Sequence, residues 1–188
     1  MKLRRQALRI ALLGPALAAA SACRSTAEPE PRLYLKPGVD WSRYAVAYVE
    51  EATVSTTARR SAKVDAILSE LKLLAEIALS DALAETGRFE RVVSREGEIE
   101  PGRTLVCRCA MKVHFGNTAL RVIFGFGAGR SGLWMTPSLH DATTGERHLS
   151  YQGWGGAFQG WGVEILAKMH EDIPAIAQYF AGLLPPPP

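Results

Sequence analysis

A two-layer α/β domain is the fold class predicted by this sequence: one mixed, mostly antiparallel sheet covered on one face by two helices. Three observations predict it. Between 44 and 93 a β-rich apolar run, a long helical stripe and a second short β segment follow one another, which is a β-α-β unit. From 105 to 154, segments of period-two alternation are separated by turn signals, as in a meander of antiparallel strands. A last helical stripe occupies 163–184. The predicted order is therefore β-α-β-β-β-β-β-α.

The chain opens with Lys2, Arg4, Arg5 and Arg9 and no acid, followed by an apolar segment from Ile10 to Ala20. That segment is too short to span a bilayer as a permanent helix and reads as the hydrophobic part of a signal peptide, 1–22. Small residues then lead to Ala20-Ser21-Ala22-Cys23. This resembles the lipobox of bacterial lipoproteins, in which the cysteine thiol is acylated and the chain is cut just before it. Ala20 stands where leucine is usual, and an ordinary secretory signal cut near Ala22 is the alternative. Arg4-Arg5 is a poor match to twin-arginine export, because Ala7 stands where a larger apolar residue should follow. Lipoproteins kept in the inner membrane commonly carry Asp after the cysteine. Arg24 in that place implies, by the same resemblance, sorting to the outer membrane. RSTAEPEPR (24–32) has nothing apolar to bury and reads as an extended tether. The expected division is thus a signal peptide at 1–22, a lipidated flexible segment at 23–33, one periplasmic domain at 34–184 and a proline tail at 185–188.

Composition narrows the function. The 188 residues carry a formal charge of +3, but the four cations of 1–22 leave with the signal, and the rest is near −1. The basicity belongs to export, so no basic stripe for nucleic acid survives processing. Removing 1–22 leaves 166 residues, enough for one domain with a single core.

Along that domain, YLKPGVDW (34–41) is a turn-rich opening broken at Pro37-Gly38. Tyr44 to Val54 is expected as one buried strand. Ser61 to Glu85 places Val64, Ile67, Leu68, Leu71, Ala75, Ala78 and Ala82 on one helical stripe, with Thr86-Gly87 as the stop. Phe89 to Val93 is a second strand, and GEIEPGR (97–103) a loop. In LVCRCAMKVHF (105–115), Leu105, Cys107, Cys109, Met111, Val113 and Phe115 face one way and Arg108, Lys112 and His114 the other. Ala119 to Phe126 and Leu133 to His140 are further strands, DATTGE (141–146) a hairpin loop, and His148 to Trp154 its return. Val163 to Leu184 is helical through Leu166, Met169, Ile173, Ile176, Ala177 and Phe180, with Pro174 expected to kink or break it.

Gly127-Ala-Gly129-Arg-Ser-Gly132 spells the dinucleotide fingerprint G-x-G-x-x-G. The fingerprint works only where the glycines end a strand and open a helix, whose N-terminus takes the pyrophosphate. Here LWMTPSLHD follows, a β segment with Pro137, so the glycines read as a bend between strands and no nucleotide is expected. GFGAGR (125–130) and DATTGE (141–146) resemble the GxGAGx…DxxTGE pattern of a family of uncharacterised bacterial envelope lipoproteins, and YLKPGVDWSRY (34–44) resembles their opening PGvD-x-s-x-Y segment. The resemblance covers nearly all of the mature chain. More distantly, the element order is similar to periplasmic domains of curli-secretion and penicillin-binding-protein-activator lipoproteins. That resemblance implies a role in binding other envelope proteins.

Candidate chemistry is sparse. His140-Asp141 with His148 could make a base and its orienter, but Asp at a hairpin start ordinarily bonds turn backbone. Glu50-Glu51 are adjacent and face opposite ways in a strand, and no G-x-S-x-G elbow occurs. His170 beside Glu171-Asp172 lacks the partners of a metal site. Cys107 and Cys109 share a strand face with parallel Cβ directions, wrong for a disulfide, and read as buried free thiols. No catalytic residue, metal or cofactor is expected. Trp134, Trp154 and Trp161, near the glycine bends, with Arg108 and Lys112, and with His114 and Arg121 beside those cations, are the candidate contact surface. The expected protein is an outer-membrane-anchored, periplasmic, non-catalytic recognition or regulatory module. It would be held in the membrane through Cys23 and bind an envelope protein; carriage of a lipid or small apolar ligand is the alternative.

Overall fold

The computed structural model describes residues 32–116, 131–158 and 163–187, with the side chains of 156–158 and 163–165 left out. The signal peptide, Cys23, Gly127, Gly129, Arg121, the expected strand 119–126 and Trp161 lie outside the described residues. Strands are β1 (Arg32–Leu35), β2 (Val46–Val49), β3 (Thr53–Thr56), β4 (Arg91–Val93), β5 (Thr104–His114), β6 (Ser131–Asp141) and β7 (Arg147–Phe158). Helices are α1 (Ala62–Glu85) and α2 (Val163–Ala181). They form a two-layer α/β sandwich. One seven-stranded sheet runs β1-β7-β6-β5-β2-β4, with β3 also on β5. β2 is parallel to β4 across α1, which is the expected β-α-β unit, and both β2 and β3 are parallel to β5. The longest ladders, β5 with β6 and β6 with β7, are antiparallel.

Both helices lie on the same face of the sheet. α1 packs on β2, β3 and β4, α2 packs on β6 and β7, and the helices touch each other. One core cluster runs from Tyr44 to Leu184. It takes Leu71, Ala75, Leu79 and Leu83 from α1, Met169, Ile173 and Phe180 from α2, and Leu105, Cys107, Cys109, Met111 and Val113 from β5. The period-two reading of β5 holds, with Arg108 and Lys112 exposed on the opposite face. Ser61 caps α1, its Oγ accepting from the Val64 N–H at 3.3 Å, and Gly87 takes φ +63° just past the end.

Four expectations change. The single strand 44–54 is two, because Val49 pairs Cys107 and Thr53 pairs Ala110. The first strand advances four residues while β5 advances three, so one extra residue is accommodated at 50–52 as a β-bulge. The turn-rich opening begins instead with β1, antiparallel to β7 in the register Leu33↔Tyr151 and Leu35↔Leu149, so Arg32 and Leu33 belong to the sheet. The break allowed for at Pro174 is absent, since α2 runs on through it, and the helix ends at Ala181, short of the expected Leu184. Proline there leaves the His170 carbonyl without its usual donor, which packing against β7 tolerates. Finally, glycine-rich 153–158 is the far half of β7. A Cβ on Gly153 would come within 2.7 Å of Ile176 Cγ2, and one on Gly155 within 2.6 Å of Asp172 Oδ2. These two glycines let α2 approach the sheet closely, and Gly132 in β6 makes room for the Trp154 ring.

Candidate functional site

The sheet face turned away from the helices is built by strand alternation. In β5, β6 and β7 the residues between core positions point to it, and register lays them out in rows. Lys112 stands opposite Trp134, and Trp134 opposite Trp154. The two indoles lie 4.0 Å apart between centroids at 51°, half-buried against each other and over Gly132. Two rows further along the strands, Arg108, Ser138, Ser150 and Tyr34 are joined. Arg108 donates through Nε to Glu50 Oε2 at 2.7 Å, and this bridge is exposed on both sides. Thr53 and Ala110 pair between these rows. The surface carries small hydroxyls, with the indole pair and Lys112 at one end and Arg108 farther along. Four of the five expected contact residues (Trp134, Trp154, Arg108, Lys112) come together on this face. His114 lies at the end of β5, hydrogen-bonded to Thr57 at 2.8 Å.

A second constellation was invisible in the sequence as a unit. Tyr44 donates to Asp141 Oδ2 at 2.7 Å and lies 2.7 Å from His148 Nε2. Its single proton goes to the carboxylate, so Nε2–H of His148 donates to the phenol oxygen, and the other ring nitrogen, Nδ1, is an acceptor with no partner among the described residues. Arg43 pairs with Asp141 and lies over the Tyr44 ring. Asp141 Oδ1 accepts the N–H of Thr143 and Thr144, each at 2.8 Å. His148 reaches inward because it is an extra residue: Leu139 pairs Leu149 while His140 pairs Arg147. A bulge at this point turns His148 to the core side beside Leu149.

The electrostatics make this a lock. Burial alone would raise the Asp141 carboxyl. Hydrogen bonds from Tyr44, Thr144, Thr143 and Arg43 overcome that and hold it well below the usual carboxylate range. Burial, reinforced by Asp141, pushes the Tyr44 phenol up to about 12. Burial and nearby Lys36 keep His148 below its ordinary value, hence neutral. Tyr44, Asp141 and His148 are each at most 4 % exposed, a burial suited to fixing structure rather than handling substrate. The expected role of Asp141 in the turn is therefore present, with a tertiary role added. His140 stands apart, bonded to the Gly145 carbonyl and Ser138 Oγ.

A third feature is an open groove of about 480 Å³ between the start of α1 and β3, lined by Ala52, Val54 and Leu68 with polar Glu51, Arg60, Asp65, Ser69 and Lys72. Its charges are paired with one another, Lys72 with Glu51 and Arg60 with Asp65. His170 pairs with Glu70 across the two helices. Cys107 and Cys109 are buried free thiols, Cys109 pushed up to about 12 by burial. Among the described residues no group of three or more His, Cys, Asp or Glu could hold a metal ion, and no helix is long and apolar enough to cross a membrane.

No protein-family model matches the chain, and no curated protein matches it in sequence. Solved structures do. The chain is similar to the PelC dodecamer from Paraburkholderia phytofirmans, at 16 % identity and TM-score 0.51 over 79 % of this chain and 96 % of that one. A single-substitution variant of that protein in a second crystal form gives TM-score 0.50 over 80 % and 95 % at the same 16 % identity. Protein XCC0632 from Xanthomonas campestris, of a domain family of unknown function, matches at TM-score 0.42 and 11 % identity over 81 % and 91 %. At such identities the likeness is one of fold alone.

Proposed function

We propose that the chain is a lipoprotein of the outer membrane, acylated at Cys23 after removal of 1–22, whose domain is a non-catalytic recognition module for another envelope component. The observation that carries the reading is a sheet face that no described element covers, where the Trp134–Trp154 pair stands in register with Lys112 and Arg108 lies farther along the same face. Rigid aromatics next to a cation are what a protein partner's recognition site needs, and both indoles are partly exposed. The groove beside α1 supports a second reading, carriage of a small ligand, with Leu68 and Val54 as its apolar wall.

The test is crosslinking in intact membranes of the native protein against Cys23→Ala and against Trp134→Ala with Lys112→Glu, followed by mass spectrometry of the mature N-terminus and of captured material. An acylated Cys23 and a protein captured by the native chain but lost in both variants is the expected result. Capture unaffected by the face variants would move the contact elsewhere, and an unmodified Cys23 would remove the anchor. PelC was crystallised as a dodecamer, so light scattering of the same preparation separates a partner from further copies of this chain.

A further inference from the structure

Exposed apolar side chains are concentrated at one edge of the sheet. Among the described residues the large hydrophobics left exposed are Leu33, Tyr34, Leu35, Leu73, Ile77 and Tyr179. The first three are consecutive in β1, an outer strand bonded to β7 on one side and, among the described residues, to nothing on the other. All four residues of β1 are exposed. Leu33 and Leu35 stand opposite Tyr151 and Leu149, and Tyr34 opposite Ser150. Tyr151 lies 4.7 Å from Tyr179 of α2 between ring centroids, so Leu33, Tyr151 and Tyr179 continue one strip around the edge. Cations frame it. Arg32 begins the strand, Lys36 follows it, and Arg147 lies 4.5 Å over the Tyr34 ring. Lys36 is paired with Glu146.

An outer strand carrying two leucines that no described residue covers is an aggregation hazard in water unless something covers it. The sequence indicates what does. Cys23 is nine residues before Arg32, and an extended chain spans at most about 3.6 Å per residue, so β1 stays within roughly 30 Å of that thiol. Leucine that can insert, tyrosine with an apolar body and polar tip, and arginine or lysine that attracts acidic headgroups together form the composition that settles at a lipid headgroup boundary.

We propose that β1, with Tyr179 and Arg147 beside it, rests on the anionic lipid surface that carries the anchor. The inference rests on the acylation of Cys23 proposed above, because a short tether is what brings this edge to lipid. Placed so, the sheet stands on its edge with its strands along the membrane. The Trp134–Trp154 face and the groove beside α1 then remain open to the periplasm, and the acyl chains hold the domain while the edge sets its orientation.

The experiment is vesicle flotation of the unacylated chain from Arg24 onward, whose core lies wholly between Tyr44 and Leu184. Vesicles of phosphatidylethanolamine with phosphatidylglycerol are compared with phosphatidylcholine alone. Salt-sensitive binding to the anionic vesicles is expected. Leu33→Glu with Leu35→Glu should weaken it about tenfold, equivalent to about 1.4 kcal/mol, with the thermal transition kept. Leu73→Glu with Ile77→Glu, equally exposed but on α1, should change it less than about twofold. Absence of binding by the parent chain, or equal loss from both pairs, overturns the proposal. So does retained binding by the folded β1 variant, or a dimer in light scattering that this variant abolishes without any vesicle binding. The mass of the mature N-terminus reports the anchor separately. An acylated chain whose domain ignores vesicles defeats this inference alone, and an unmodified Cys23 defeats the anchor reading.

Discussion

Tyr44 is the residue on which most of the polar core turns. Its phenol gives its proton to a buried carboxylate and takes one from a buried imidazole. Tyr44→Phe should therefore cost about 2–3 kcal/mol, more than an exposed hydroxyl would, because it strips a hydrogen bond from a charged group and leaves the His148 Nε2–H unpaired. Urea unfolding measures this, and combining it with Asp141→Asn should cost less than the two apart. The same residues set the pH response. His148 is held below its ordinary 6.5, so the unfolded chain takes up a proton that the fold refuses, and stability falls as pH drops through about 6.5. Asp141 is held below its ordinary 3.8, so its contribution is full above that value and is lost as pH falls further. Tyr44 is raised from 10.0 to about 12, so stability from the neutral phenol is full below pH 10 and is lost between 10 and 12. His148→Phe should flatten the slope between pH 7 and 5, and Tyr44→Phe the alkaline limb; unchanged slopes would remove this account of the network.

Among the elements, β7 carries two tasks on opposite faces. Gly153 and Gly155 face α2, and Trp154 between them faces the open side. Gly155→Ala should cost about 1–3 kcal/mol, because its Cβ would lie 2.6 Å from Asp172 Oδ2 in a packed helix–sheet contact. Gly97→Ala, with nothing within 4 Å, should be neutral within about 0.5 kcal/mol. Denaturation midpoints for the pair decide between close packing and mere chain flexibility as the use of these glycines. The cap of α1 is a smaller contribution. Ser61→Ala should lose about 1 kcal/mol by leaving the Val64 N–H without its acceptor.

At the level of the whole molecule, the thiols report on both burial and anchoring. Cys107 and Cys109 are at most 4 % exposed, and burial raises both. Neither should react with a thiol reagent until the domain unfolds, when both should. If Cys23 is acylated, the native membrane protein shows no reactive thiol; one reactive thiol before denaturation would mean a free Cys23. A thiol count before and after unfolding therefore tests the anchor without sequencing.

How much was legible follows from the range of the interactions involved. The helices at 62–85 and 163–181, the alternation of β5, the parallel β-α-β unit and the two-layer class are written in periodicities that a few neighbouring residues carry. The rejection of the dinucleotide motif needed only the β pattern and Pro137 after the glycines, and Gly132 does lie in β6. The candidate face was half legible, since alternation puts Arg108 and Lys112 on one side of β5, but only pairing with β6 and β7 sets Lys112, Trp134 and Trp154 in a row. The Tyr44–Asp141–His148 lock joins residues about a hundred positions apart, and no local pattern in the sequence brings them together. β1 escaped because four exposed residues ending in Lys-Pro-Gly have no buried face to mark them; their strand state comes from the ladder with β7. Local periodicity and turn chemistry thus specify the elements and their class. Register, the bulges and the close approach of α2 to glycine arise from long-range pairing, whose free energy no short window of sequence contains.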